Sequence, residues 1–180
     1  MAELRADAQR NRTRILEIAA DAFAADPDAS MNVIAKRAGV GAGTLYRHFP
    51  TREELLLNVY HHEVASLSDD VARSLDRLDP LDAFREWARR LAALVRTKHG
   101  LGDALSSPAA QAIIDESYAP VTSAIRQLLD AAAARGEIQP GFDPSDVLLL
   151  LSGLWRVPPG DAGLKQADRL LELVITSLRG

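Results

Sequence analysis

From Ile15 to Leu178 the apolar residues recur at intervals of three and four, never alternate over a sustained run, and include few β-branched side chains. A chain with that spacing buries helical stripes and not pleated faces, so the expected fold class is all-α. Ile15, Ile18, Ala19, Ala22 and Phe23 follow the i, i+3, i+4, i+7, i+8 pattern of one helical face, and Asp26-Pro27-Asp28 stops that helix. Ser30 can cap a second, short helix carrying Ile34, Ala35 and Ala38, which Gly39 ends. A third runs from about Ala42 to Phe49 and stops at Pro50. Thr51-Arg52-Glu53-Glu54 has the form of a capping box, and it opens a long helix with Leu55, Val59, Val64, Leu67, Val71 and Leu75 on its face.

The rest continues in the same way. Asp79-Pro80 starts a helix with Leu81, Phe84, Ala88, Leu91 and Val95 inward, ended by Gly100, and Leu101 to Pro108 reads as a loop with a helical turn. Ile113 to Ala134 is helical with an expected interruption at Pro120, and Gly136 stands just past its end. Asp143-Pro144 supplies a cap and a first-turn proline for a helix that Val147 and Leu148 to Leu151 make apolar nearly all round. Val157-Pro158-Pro159-Gly160 breaks the chain before a last helix from Leu164 to Leu178.

Composition removes several classes of function. There is no cysteine, which excludes a disulfide framework, a thiolate zinc site and a cysteine nucleophile. The start is charged from Glu3 onward, unlike a signal peptide, and the strongly apolar run Val147 to Leu151 is far too short for a bilayer; a cytoplasmic protein with no membrane partner is expected. His61-His62-Glu63, His99 and Asp103 form the one loose metal-like set. Adjacent His61 and His62 point about 100° apart on a helix and make no chelating pair. Ser106 and Ser107 near His99 and Asp103 lack the strained turn that presents a nucleophilic serine. Neither a metal, a cofactor nor an enzyme activity is expected.

The net charge of −4 looks wrong for a nucleic-acid binder, but its distribution does not. Ala29 to Arg52 contains no acid and carries Lys36, Arg37, Arg47 and Arg52, whereas His61 to Gly180 holds 13 basic and 17 acidic residues. A basic island beside an acidic body suits a polyanion docking at one end, although chance clustering gives the same arithmetic. The island coincides with two short helices joined at Gly39, a helix-turn-helix. Ala35 is small where the helices would cross, Gly39 can adopt the left-handed turn conformation, and Val40 and Leu45 plug the crossing. The second helix then exposes Thr44, Tyr46, Arg47 and His48 while burying Leu45 and Phe49, a shape that fits a major groove. An αα-hairpin with a purely structural role would have the same spacing.

The run Ser30, Ile34-Ala35, Ala38-Gly39-Val40, Gly43-Thr44-Leu45-Tyr46, His48-Phe49-Pro50, Arg52-Glu53 and Leu55 resembles the amino-terminal domain of the tetracycline-repressor (TetR) family of transcriptional regulators. The resemblance covers about residues 10 to 60; beyond it only the architecture corresponds. It implies a DNA-binding domain over residues 1–55, a helical ligand-binding and dimerisation domain over 56–180, and a homodimer on a palindromic double-stranded operator, released by a small effector. It also implies that Ser30 and Asn32 meet phosphate or a base, that Thr44, Tyr46, Arg47 and His48 make the recognition-helix contacts, and that Arg52 binds phosphate. Gly41 stands where the family commonly caps the recognition helix with Ser or Thr, and Ala42-Gly43 has no polar reach, so base readout leans on Thr44 and Arg47. Arg10 and Arg14 share a face and either touch the flanking backbone or are simply solvated.

In the body, Phe84, Trp87, Leu91, Leu94, Ile113, Ile114, Tyr118, Phe142 and Trp155 are the candidate lining of a pocket, with His99 as a polar anchor; each could equally be plain core. The scarcity of polar residues on these faces points to an apolar or aromatic ligand. In the last helix Leu164, Ala167, Leu170, Leu171, Leu173, Val174, Ile175 and Leu178 fill an arc of about 200°, wide enough for one contact with the body and one with a partner. With Leu151, Gly153 and Leu154 of the preceding segment, Leu171, Leu173, Val174, Ile175 and Leu178 are the expected dimer interface, a four-helix arrangement. Leu173 and Ile175 lie on opposite edges of the arc. A regulator gated by a protein partner instead of a ligand is the alternative function, and an all-α enzyme a remote one.

Overall fold

A computed structural model describes residues 2–26, 28–99 and 108–180, without the side chains of 2–8, 97–99, 108–110, 113 and 114. The readings placed on His99, Ile113, Ile114, Asp103, Ser106, Ser107 and the 101–107 loop therefore lie outside the described residues or side chains. Among the described residues the regular structure is helical, with no strand. The helices are α1 (Ala2–Ala25), α2 (Met31–Arg37), α3 (Ala42–His48), α4 (Arg52–Asp69), α5 (Val71–Arg77), α6 (Pro80–His99), α7 (Pro108–Ala134), α8 (Pro144–Leu151), a 3-10 turn (Ser152–Trp155) and α9 (Asp161–Arg179).

The chain forms two compact units, one through Glu63 with the start of α7 to Ile113, the other from Val64 with the remainder of α7 to the end. The division falls within α4, as does the 55/56 boundary read from the sequence.

The first unit closes around Ile15, Ala19 and Phe23 of α1, Ile34 and Ala35 of α2, Leu45 of α3, Phe49, and Leu55 of α4, all essentially buried. Burying the larger of these side chains stabilises by about 1.5–3 kcal/mol each, and that is what holds α2 and α3, two seven-residue helices that would be marginal alone. Arg12 was not singled out between Arg10 and Arg14, yet it points inward. Its guanidinium lies 4.9 Å over the Phe49 ring and donates to Asn58 Oδ1 at 2.7 Å, tying α1 to the end of α3 and to α4.

In the second unit, Phe84, Trp87 and Leu91 of α6, Ile125 and Leu128 of α7, Leu151, Leu154, and Leu171, Ile175 and Leu178 of α9 are buried. α6 packs on the 3-10 turn and on α9, and α8 packs on α9. A side chain on Gly163 would place its Cβ 1.7 Å from the Pro158 carbonyl oxygen, so glycine there lets the Pro158-Pro159 segment lie directly on the first turn of α9.

Three elements differ from the sequence expectation. The helix opened by Thr51 ends at Asp69 and restarts at Val71. The Ser68 hydroxyl donates back to the Val64 carbonyl at 2.9 Å, and Asp70 faces Arg73 and Arg90, a partner 20 residues away that local periodicity does not register. α7 begins at Pro108 and runs unbroken through Pro120. Thr122 Oγ1 donates to the carbonyls of Tyr118 and Ala119 at 3.0 and 3.1 Å, adding side-chain hydrogen bonds where proline removes a backbone one. α9 starts at Asp161, ahead of Leu164.

Candidate nucleic-acid interface

α2 carries the cap expected of it: Ser30 Oγ accepts from the Val33 N–H at 3.4 Å. It ends in the double hydrogen bond of a Schellman motif, with Val40 N–H on the Ala35 carbonyl at 3.0 Å and Gly39 N–H on the Lys36 carbonyl at 3.2 Å. Gly39 has φ 64°, a conformation in which a side chain would be strained. The Gly41 carbonyl then accepts the first bonds of α3, from Thr44 and Leu45, and no side chain caps that end.

α3 turns Leu45 inward and Phe49 follows it, both at 0% exposure, while Tyr46 is 46% exposed. Arg47 is exposed, and Thr44 and His48 are half-buried on the same outer side. These four therefore lie together on the outside of a seven-residue helix whose inner face is fixed by packing. Arg47 is braced along its own helix, with Nε donating to the Gly43 carbonyl at 3.3 Å and Nη2 to Thr44 Oγ1 at 3.2 Å. Asn32 is exposed on α2, together with Lys36 and Arg37 in its last turn. Those two cations belong to the same acid-free surface and were not assigned contacts; their place in the last turn of α2 was the available signal. Arg52 stands at the start of α4, with its guanidinium 5.1 Å over the Phe23 ring and Nε donating to the Ala29 carbonyl at 3.5 Å. Thr51 Oγ1 accepts from the Glu54 N–H at 3.1 Å, so the capping half of the box forms. Arg10 and Arg14 are exposed on α1.

The expected pocket residues separate. Phe84, Trp87 and Leu91 are interior to the second unit, at 1%, 3% and 2% exposure. Leu94 and Trp155 are half-buried. Tyr118 is 50% exposed and Phe142 36%, so neither is an interior residue: on α7 the inward face is taken by Ser117, Val121, Ala124 and Ile125, and Phe142 stands in the loop before α8. Trp87 Nε1 is buried without a hydrogen-bond acceptor among the described residues.

The expected interface residues separate too. Leu151, Leu154, Leu171, Ile175 and Leu178 are at most 2% exposed and Val174 is at 9%, all covered by the chain's own body. Gly153 is half-buried, with the Leu170 side chain 3.7 Å from where a Cβ would stand. On α8 and α9 the large apolar side chains left outside are Leu149 at 71%, Leu150 at 56%, Leu164 at 49% and Leu173 at 65%. Leu170 and Leu173 line an open cleft of about 610 Å³ along α9, rimmed by Asp168, Arg169 and Glu172.

No group of three His, Cys, Asp or Glu that could hold a metal occurs among the described residues, and no described helix is long and apolar enough to cross a membrane. A compact helix-turn-helix with an outward basic and hydroxylic face, carried with a separate helical body, defines a DNA-binding regulator. Residues 15–59 match the family described as bacterial regulatory proteins, tetR family, and residues 79–180 match the SbtR-like transcriptional regulator C-terminal domain. The TetR transcriptional regulator SCO0520 of Streptomyces coelicolor is 40% identical, with a TM-score of 0.76 over 93% of this chain and 98% of its own. A TetR transcription regulatory protein of Mycobacterium vanbaalenii is 32% identical, with a TM-score of 0.69 over 98% and 99%. The HTH-type transcriptional regulator UidR of Escherichia coli K12 is 26% identical over 168 residues, 86% of this chain and 82% of its own. The chain belongs to the TetR family and is a DNA-binding transcriptional regulator.

Proposed function

We propose that the protein is a homodimeric cytoplasmic repressor that holds a palindromic operator with two copies of α3 and leaves it when a small, apolar or aromatic ligand enters the body of each chain. The DNA-binding part lies in the first unit and the ligand-binding and dimerising part in the second. Tyr46, His48 and Arg52 bind phosphate, Arg47 reaches a base edge, and Asn32 and the Ser30 hydroxyl contact the flanking strand. Ser30 accepts from Val33 and still has its O–H to donate.

The observation that carries the dimer is the uncovered leucine set on α8 and α9. Among the described residues, Leu149, Leu150, Leu164 and Leu173 are the large aliphatic side chains that the second unit leaves in water. The interface therefore uses the Leu173 edge of α9, whereas Ile175 belongs to the chain's own core. The ligand reading is supported by Trp87. Its buried indole N–H has no acceptor among the described residues, an arrangement that costs about 1–3 kcal/mol, and an otherwise apolar ligand carrying one acceptor would recover it.

The test starts from duplex selected by the protein out of a random pool, with compounds then titrated against the complex. A true effector lowers affinity for the selected duplex and shifts tryptophan emission, since both tryptophans, Trp87 and Trp155, lie in the body. By linkage the duplex weakens effector binding by the same factor. Release that needs a second protein, with no compound acting and no change in emission, would replace the ligand by a protein partner.

A further inference from the structure

α3 carries a bracing arrangement that sets how Arg47 meets DNA. The Arg47 guanidinium makes two hydrogen bonds to its own helix, Nε to the Gly43 carbonyl at 3.3 Å and Nη2 to Thr44 Oγ1 at 3.2 Å. Nε–H and the neighbouring Nη2–H form one edge of the planar group, so that edge is occupied. The opposite edge, made by Nη1 and the second Nη2 hydrogen, is a parallel two-donor fork. No salt bridge to Arg47 occurs among the described residues, and residues 29–52 contain no acid to compete for the fork. The surface beside it is open. A Cβ on Gly43 would meet nothing within 4 Å, and one on Gly41 would meet only Thr44 Oγ1 at 4.0 Å. With Gly41, Ala42 and Gly43 as the first turn, no side chain there projects past Thr44, and the helix can lie close to the base edges.

We propose that Arg47 reads one guanine per half-site with its outer fork, and that Thr44 is the positioning residue that holds the fork at the right angle. The proposal rests on α3 entering the major groove. Guanine offers O6 and N7 as a matched acceptor pair there, and the outer edge of a guanidinium fits both. A side chain already held by two bonds loses less rotamer freedom on docking than a free arginine, so the bracing sharpens discrimination more than it raises affinity for DNA in general. Two phosphate oxygens would also accept the fork, and the comparison with unrelated DNA separates the two.

The experiment measures binding of full-length wild type, Thr44→Val, Thr44→Ser and Arg47→Lys to the duplex that wild type selects from a random pool. Each is also measured on that duplex with every G·C pair replaced in turn, and on an unrelated duplex of equal length. Wild type should lose about tenfold or more at one G·C position per half-site, as a bidentate contact does. Thr44→Val keeps the side-chain volume and removes the acceptor, and should bring that loss within about threefold, with a much larger fall on the selected duplex than on unrelated DNA. Thr44→Ser restores the hydroxyl and should restore discrimination, and Arg47→Lys, which has no fork, should lack it. Circular dichroism confirms that each variant is folded.

Full discrimination in Thr44→Val overturns the proposal. So does an equal loss on selected and unrelated DNA, which makes Thr44 a phosphate contact, and so does a loss in Thr44→Ser matching that in Thr44→Val. A wild type that selects a site but shows no guanine preference sinks this proposal alone. A wild type that selects nothing removes the operator-binding reading and this proposal with it.

Discussion

α3 and α9 each close a core with one face and leave the other in water, and the two outer faces differ in kind. On α3 the inner Leu45 is fully buried while Tyr46 and Arg47 stand exposed beside half-buried Thr44 and His48. On α9 the inner Leu171, Ile175 and Leu178 are buried, while Leu164 and Leu173 remain outside. Donors without acids suit a polyanion, and uncovered leucines suit another apolar face. The chemistry left over after each unit has closed is what separates the helix proposed for DNA from the helix proposed for a second copy of the chain.

The sharpest way to break that comparison is to put the same charge on both edges of α9. Ile175→Glu buries an unpaired carboxylate at a position 1% exposed and should cost on the order of 4 kcal/mol or more, seen as loss of the cooperative thermal transition. Leu173→Glu should stay folded and become monomeric by sedimentation. Its affinity for the selected duplex should fall by about a hundredfold or more, because two linked half-site contacts become independent. A dimeric Leu173→Glu would move the interface off this edge.

On α3 the effects are smaller and differ in kind. Arg47→Ala should cost about 1–3 kcal/mol at one base-pair position and little on random DNA, whereas Tyr46→Phe should weaken selected and random duplexes alike by about 0.5–1.5 kcal/mol. Equal losses on both duplexes for Arg47→Ala would make it a phosphate contact.

Gly43 sharpens the comparison further. Nothing within 4 Å opposes a Cβ there and its φ is not positive, so the chain's own packing does not require glycine. Gly43→Ala should raise stability by about 0.5–1 kcal/mol, since alanine is the better helix former. It should weaken operator binding if DNA passes close to that turn. Higher stability with unchanged binding would place the DNA farther from α3.

The inner face of α3 was legible because Leu45 and Phe49 are the apolar residues of a short polar helix, and a period of 3.6 leaves them one side to face. The edges of α9 were not, because Leu171, Leu173, Val174 and Ile175 are apolar throughout the arc, and only packing against α6 and α8 decides which are covered. Residue type misled at Tyr118 and Phe142: aromatic character suggested the interior, whereas the inward face of α7 excludes Tyr118 and Phe142 stands in the loop before α8. Long-range partners were invisible for the same physical reason. Asp70 interrupts the helix beside an arginine of α6, and Arg12 differs from Arg10 and Arg14 only in having Phe49 and Asn58 to meet.

The smallest expected effect concerns how α9 is held to α6. Arg85 donates to both oxygens of Glu172 at 2.8 and 3.1 Å, and these hydrogen bonds hold the Glu172 carboxyl below the usual glutamate range. Because the folded value is the lower one, the contribution is present above the unfolded glutamate value and is lost as pH falls through the folded one. The pair is partly exposed, so Glu172→Gln should flatten the acid limb of the stability curve by only about 0.5 kcal/mol or less. A larger change in chemical or thermal unfolding between neutral and acid pH would mean that the pair is better shielded in the dimer.

The most direct measurement is the stoichiometry of the complex on DNA. Sedimentation of wild type with its selected duplex, alongside a footprint of the same complex, should give two chains per duplex, with two protected half-sites centred about 34–36 Å apart and related by a two-fold axis. Leu173→Glu should show no such complex at the same concentration. One chain per duplex, or a two-chain complex that survives Leu173→Glu unchanged, would contradict the assignment of α3 to DNA and the Leu173 edge of α9 to a second copy.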